Sequence, residues 1–278
     1  MTIQLHPESE RQLVARTDRV RRIGYWYVTE HQLRITLRYG AITLATTIGT
    51  PFLYLFAFGV GLASLISASG TTVDGVSYLA FVAPALICTA TMTIATGEFT
   101  FPIMLGFKWN PVFLGMNAAP LSGNQIIGGH VLFVTIRMVT TAVVYYLVML
   151  VFGAVPSSWG VMSIPIAVLT GLAFGAPILA YSCWLKEERG QFSIISRVIL
   201  LPLTLFSGTV FPLEQLPIYL QWIGWISPLW HGTELARQFS YGVSEPIWLS
   251  AIHLIYLVAL AIVFVRLGMR FAVKRLDK

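Results

Sequence analysis

The side chains of this sequence that could do chemistry are few and far apart. Histidines stand at His6, His31, His130, His231 and His253, and His231 has an acid at helical spacing, Glu234. A zinc site closes with three or four imidazole, thiolate or carboxylate ligands. No second histidine or cysteine completes that set, so no metal site is expected and the pair reads as hydrogen bonding. Cys88 and Cys183 fall within or at the end of apolar runs, which marks them as small packed side chains rather than a disulfide framework. ATP hydrolysis needs a glycine-rich loop ending in Lys-Ser or Lys-Thr. Lys108, Lys186 and Lys274 are followed by Trp109, Glu187 and Arg275, and Lys278 is the last residue, so no such loop is present. Neither catalytic residues nor a cofactor are expected in this chain.

Arg137 is the charge that stands out, because it interrupts an apolar run. A charge at that depth is costly and is either paired or snorkels toward the headgroups. Two readings stay open: Arg137 reaches the inner headgroups, or it pairs with Glu98 and ties two helices together. His253, also within an apolar run, reads as an interhelical hydrogen-bond donor.

The elements that must position these residues are membrane helices. With 56% hydrophobic and 11% charged residues among 278, the composition is that of an all-α polytopic membrane protein. Six spans of roughly 20 residues are predicted. They cover about 41–65, 77–96, 131–152, 161–184, 194–211 and 247–267, behind a segment, 1–40, that carries an amphipathic interface helix. In that helix Ile23, Trp26, Tyr27, Leu33 and Leu37 share a face while Glu30, Arg34 and Arg38 occupy others. A solvated basic arm is the alternative. No apolar core precedes Arg22, so the first span is expected to drive insertion.

Lysine and arginine placement sets the orientation. With the N-terminus inside, sixteen of the 18 fall on the inner side, Arg237 falls outside and Arg137 lies within a span. Both termini are therefore expected in the cytoplasm. The net charge of +6 is accounted for by topology and membrane lipid, with no call for nucleic acid.

Two segments do not read as ordinary loops. Residues 97–129 carry only Glu98 and Lys108 as charges but many apolar side chains, Phe101, Leu105, Phe107, Trp109, Phe113 and Met116 among them. Either a short helix near Pro111 to Asn117 presents Phe113 and Met116 to another protein, or the segment packs beneath its own spans. From Leu201 to Tyr241 the chain breaks at Ser207-Gly208, at Pro212 and at Pro217, and then runs apolar for about ten residues, too few to cross a bilayer. Trp222, Trp225 and Trp230 suit the headgroup layer. A re-entrant hairpin over about 212–241 is predicted, with an amphipathic loop lying flat on the surface as the alternative. The Gly171-xxx-Gly175 spacing allows a neighbouring helix to approach closely.

The order of these parts resembles the permease subunit of type-2 ABC exporters. The likeness rests on the basic N-terminal helix, Glu98-Phe99 closing the second span, Ala119-Pro120-Leu121-Ser122, the run from Phe206 through Ser207-Gly208-Thr209-Val210-Phe211-Pro212 to Leu216-Pro217, then Ser227-Pro228-Leu229 and Arg237. The Ser-Gly-x-x-Phe-Pro-x-x-x-Leu-Pro run is similar to permeases of nodulation-factor and daunorubicin-resistance exporters. More distantly the chain resembles those for O-antigen and teichoic-acid polysaccharides. It departs from the pattern at Phe107-Lys108-Trp109-Asn110, nearly uncharged where many relatives carry arginines and acids.

The resemblance implies two permease copies and two cytoplasmic ATPase subunits, with ATP and magnesium bound on the latter. Lys108, Trp109, Asn110, Phe113, Met116 and Asn117, together with Lys186, Glu187, Glu188 and Arg189, would rest on the ATPase. A pathway between the two permeases would be lined by the first and fifth spans, with Thr43, Thr46, Thr47, Thr50, Thr204 and Ser207 facing it. Spans this poor in charge suit an amphipathic or lipid-linked cargo better than an ion or a free sugar. The expected function is that of an exporter permease in the bacterial cytoplasmic membrane. A secondary transporter would want intramembrane carboxylates, and a lipid-modifying enzyme a clustered acid and base; the spans offer neither.

Overall fold

The computed structural model describes residues 7–62, 72–243 and 245–277. His6, the end of the predicted first span at 63–65, and Lys278 lie outside the described residues. Among the described residues the secondary structure is helical, apart from one isolated bridge between Val73 and Val76 that closes a tight turn.

Helix α1 (Pro7–Arg38) is kinked at Ile23. Helix α2 (Gly40–Phe56) runs on into a π turn, Ala57–Leu62. Helix α3 (Tyr78–Phe99) starts where the Ser77 hydroxyl accepts from the Ala80 amide at 3.3 Å, a side-chain N-cap. After a break at Thr100 it resumes as Phe101–Met104 and a π turn, Leu105–Trp109, and then comes the short helix α4 (Val112–Ala118). Helix α5 (Gly123–Val151) is followed by α6 (Ser163–Trp184), α7 (Gln191–Phe206), α8 (Ile218–Ile226), α9 (Pro228–Tyr241) and α10 (Ile247–Leu276).

Five helical segments among the described residues are long and apolar enough to cross a membrane: Gly40–Gly59, Tyr78–Trp109, Gly123–Val151, Ser158–Trp184 and Ile247–Leu276. The fifth predicted span is the short one. Helix α7 has four α, six π and six α residues. At about 1.5 Å each that reaches about 24 Å, less than the roughly 30 Å hydrocarbon core. Expected to run to 211, it stops at Phe206 because Gly208 takes φ +69, a left-handed turn that only glycine adopts without strain.

Two other boundaries differ from expectation. Helix α5 starts at Gly123 rather than near Val131, because Ser122 and Gln125 form a reciprocal capping box. Helix α10 continues past 267 to Leu276, with Lys274 and Arg275 in its last turn, where cations favour the helix dipole.

The core lies between α3 and α6. Of their most apolar windows 72% and 61% is buried, against 11% for α2 and 17% for α10, so the latter two turn most of their surface outward. Small residues let α3 and α6 meet: a Cβ on Gly171 would come within 2.9 Å of the Thr91 carbonyl, and one on Gly175 within 2.7 Å of the Ala95 Cβ. Thr91 Oγ1 donates across this contact to the Ala167 carbonyl at 2.6 Å. Helix α1 packs on α5 through a narrow face of mostly small residues. Gly24, Val28 and Thr29 pack on α5, where Thr29 Oγ1 donates to the Gly129 carbonyl at 2.9 Å. Gly128 and Gly129 let α1 approach closely, with the Tyr25 ring against the first and Val28 against the second, while Ile23, Trp26, Tyr27 and Leu37 are exposed.

Candidate functional site

At one end of the bundle, two segments distant in sequence form a single face. The loop after α6 brings Glu187 to the π turn that follows α3, and Lys108 Nζ bridges to Glu187 Oε1 at 3.3 Å. Arg189 holds the other oxygen, Nη2 to Oε2 at 2.7 Å. The Arg189 hydrogen bond, and then Lys108, hold the Glu187 carboxyl below the usual carboxylate range. Glu188 closes the start of α7 by accepting from the amides of Gly190 at 2.7 Å and Phe192 at 3.3 Å. Arg275, from the end of α10, clamps both segments. Its Nη1 donates to the Leu185 carbonyl at 2.6 Å, and its guanidinium lies 4.3 Å from the centre of the Phe107 ring.

The predicted docking residues divide between surface and interior. Lys108, Trp109, Asn110, Lys186, Glu187 and Arg189 are exposed, with Trp109 stacked on the equally exposed Phe101 at 6.2 Å. Glu188, Met116 and Asn117 are half-buried, and Asn117 Nδ2 reaches the Leu276 carbonyl at 3.5 Å. The expectation that Phe113 points outward is corrected. It is 2% exposed, packed edge-on against Phe107 at 5.1 Å and against His130, because Gly106 leaves room for its ring. Segment 97–129 is thus divided, with Ile103, Met104, Phe107 and Phe113 packed under the spans and Phe101, Leu105, Trp109 and Leu114 exposed.

At the opposite end, α8 and α9 form the hairpin that follows the break at Gly208. Pro212 starts a short 3-10 turn, Leu213–Gln215, and Pro217 starts α8. Arg237, in α9, is 1% exposed and fully engaged. Its Nη1 bonds Glu234 at 2.8 Å, Nη2 donates to the Gly208 carbonyl at 2.7 Å and Nε to the Phe81 carbonyl at 3.3 Å. One side chain therefore joins α9, the break after α7, and α3.

His231 and His253 meet through their Nδ1 atoms, joining α9 to α10. Nε2 of His231 lies 3.0 Å from the Trp225 carbonyl and must donate to it, so its Nδ1 is the acceptor and His253 the donor. Trp222 and Trp225 are exposed, whereas Trp230 is half-buried. It packs edge-on against both histidines at 5.0 Å, since α9 buries most of its length.

The threonines expected to face a pathway are divided too. Thr46 and Thr50 are exposed on α2, while Thr43 and Thr47 are half-buried. Thr46 and Thr204 bond back to their own helices, to Ile42 at 3.0 Å and to Leu201 at 2.7 Å. Ser207 is a correction: it is buried and donates to Ser227 Oγ at 2.7 Å, which pins the helix break to the start of α9. Arg137 pairs with Glu98, tying α5 to the end of α3, and His130 Nε2 donates to the Glu98 carbonyl at 3.0 Å. Among the described residues no three histidine, cysteine, aspartate or glutamate side chains gather closely enough to hold a metal.

Comparison with protein families decides what carries this geometry. The model for the ABC-2 type transporter matches residues 24–241. The chain belongs to the ABC-2 type transporter family. Curated relatives agree. Nodulation protein J of Rhizobium leguminosarum bv. viciae is 28% identical over 214 residues, 76% of this chain and 80% of the relative. Nodulation protein J of Rhizobium meliloti is 25% identical over 209 residues, 74% and 78% of the two chains, and that of Neorhizobium galegae 27% over 208, 73% and 76%.

As an ABC-2 transporter chain it is a transport subunit rather than an enzyme. Two of its organising residues escaped sequence reasoning. Arg237 entered only as the one outer lysine or arginine and as part of the family pattern, although Glu234 three residues earlier in a weakly charged stretch was a usable signal. Arg275 had none, since it sits in a basic tail where every position carries the same expectation.

Proposed function

We propose that this ABC-2 transporter chain is the permease of an ATP-driven exporter that moves an amphipathic, lipid-like or lipid-linked cargo outward across a bacterial cytoplasmic membrane. The observation that carries the reading is the shared face of Lys108, Trp109, Glu187 and Arg189, within a chain of this family that has no nucleotide loop. That face is cytoplasmic and receives a separate ATPase subunit, which binds ATP and magnesium. The distribution of lysine and arginine supports both termini on the same side.

Helix α7 is the fifth of six crossings in this reading, and the α8–α9 hairpin enters the outer leaflet and returns. Exposed Trp222 and Trp225 on α8 support a position at the headgroup layer. Two copies of the chain enclose the pathway, with α2 and α7 lining it. The large outward surfaces of both helices, Ile42, Leu44, Phe52, Leu53 and Tyr54 on one, Val198, Leu201 and Leu205 on the other, support an apolar partner or cargo.

Reconstitution tests the proposal. Vesicles holding this chain and a separate ABC ATPase subunit should hydrolyse ATP and move a fluorescent lipid analogue outward. Lys108→Cys should react with a membrane-impermeant maleimide only from the cytoplasmic side. Transport with no ATPase present, or labelling of that cysteine from outside, would overturn it.

A further inference from the structure

Between α6, α7 and α10 lies a groove of about 450 Å³ that the transport pathway proposed above does not use. Its walls are rows of residues four apart: Pro177 and Tyr181 on α6, Ile199 and Leu203 on α7, Tyr256 and Leu260 on α10. Such rows lie along one side of each helix, and continued through Ala173, Ile195 and Phe264 they run two turns, a slot about 12 Å long. Ile226, Ser227 and Pro228, from the start of the hairpin, close one end, where the Tyr256 hydroxyl donates to the Ile226 carbonyl. No charged side chain lines it.

Helix α7 forms a wall with apolar surface on both sides. Its other side exposes Ile194, Val198, Leu201 and Leu205. Along the groove its backbone is in the wider π form, Ile195–Leu200. Two of the helices around the groove, α6 and α10, have membrane-spanning length and composition, so hydrocarbon is the medium at its mouth. An empty slot would forfeit dispersion contacts along its whole lining, and that lining offers no charge to pair with a polar ligand.

We propose that this groove binds one acyl chain of a bilayer phospholipid, lodged lengthwise between α7 and the α6–α10 pair. Its occupant is a component of the membrane and not the exported cargo. The proposal rests on the membrane embedding of this chain and not on what drives transport, so it can fail while the exporter reading stands.

The test uses the full-length chain in nanodiscs of phosphatidylethanolamine and phosphatidylglycerol, doped with a phospholipid that carries a mid-chain diazirine, with no nucleotide and no cargo. After illumination, peptide mapping should place adducts on Ile199, Leu203, Tyr256 and Leu260. Leu203→Trp and, separately, Leu260→Trp fill the slot from opposite walls. Each should lower groove adducts about tenfold, equivalent to about 1.4 kcal/mol of lost binding, and leave adducts on Val198 and Leu205 unchanged. Adducts in the wild type confined to the outward residues would overturn the proposal without reference to any variant. Groove adducts that persist at full yield in both filled variants would overturn it as well.

Discussion

The Arg237 guanidinium carbon stands 3.7 Å from the centre of the Phe81 ring, and Nε of the same side chain donates to the Phe81 carbonyl. One residue of α9 thus grips both the ring and the backbone of one residue of α3. Removing it strands several partners at once. Arg237→Met would leave Glu234 unpaired, with its side chain only 16% exposed, and would leave the Gly208 carbonyl without its donor. Breaking a buried pair from one side costs about 3 kcal/mol. Arg237→Lys keeps the charge but not the fork, and should lose about half of that. Thermal unfolding of the purified chain in detergent measures both, and a melting curve for Arg237→Met equal to that of the wild type would sink the latch.

The Glu98–Arg137 pair joins α3 to α5 with both side chains less than a third exposed. Glu98→Arg and Arg137→Glu should each impair transport and stability, and the double exchange should restore a good part of both. Partial solvent screening limits the coupling energy to about 1 kcal/mol. A double-mutant cycle on melting temperature and on vesicle transport reads it. Additive losses in the double variant would show that the pair does not act as a unit.

What was legible in the sequence follows from what each signal depends on. Apolar runs located the long helices because twenty hydrophobic residues have few alternatives in a chain this greasy. Gly208, Pro212 and Pro217 marked the hairpin because backbone chemistry acts locally. The α5 start was equally local, encoded in Ser122-x-x-Gln125, but the apolarity around it disguised a helix as a loop. Three-dimensional partners were the hard part. Phe113 and Trp230 look like surface aromatics until Gly106 and the His231–His253 pair are placed beside them. The buried face of α1 was chosen by the glycines of α5, a hundred residues away, and no periodicity within α1 reports that.

The α3–α6 crossing gives a prediction that concerns packing alone. A methyl at Gly175 would press on Ala95 and the Phe99 ring, and one at Gly171 on Met138 and the Thr91 backbone. Neither neighbour has room to retreat, since all four are buried in the core. Gly171→Ala and Gly175→Ala should each destabilise the chain by about 1–3 kcal/mol, the usual cost of overpacking. Gly153→Ala is a poor control because its φ is +67, whereas Gly49→Ala meets nothing within 4 Å and should be silent. Urea or thermal titration in detergent would rank them, and equal stability across the three would contradict a tight crossing.

The bridge between Lys108 and Glu187 should depend on pH in one direction. Arg189 and Lys108 hold Glu187 below the usual carboxylate range in the folded chain, so over part of the acid range the unfolded chain binds the proton more readily. The contribution of the bridge is then fully present above the ordinary glutamate pKa of about 4.3. It is lost as pH falls through the lowered value. Both side chains of the Lys108 pair are about half exposed, so salt should weaken it as well. Glu187→Gln should therefore melt below the wild type at neutral pH and alike with it in acid. Trp109→Ala, which removes an exposed ring rather than a bridge, should leave the melt unchanged while weakening capture of the ATPase subunit. If Trp109→Ala captured the ATPase as well as the wild type does, the face built on Lys108 and Glu187 would not be where the motor rests.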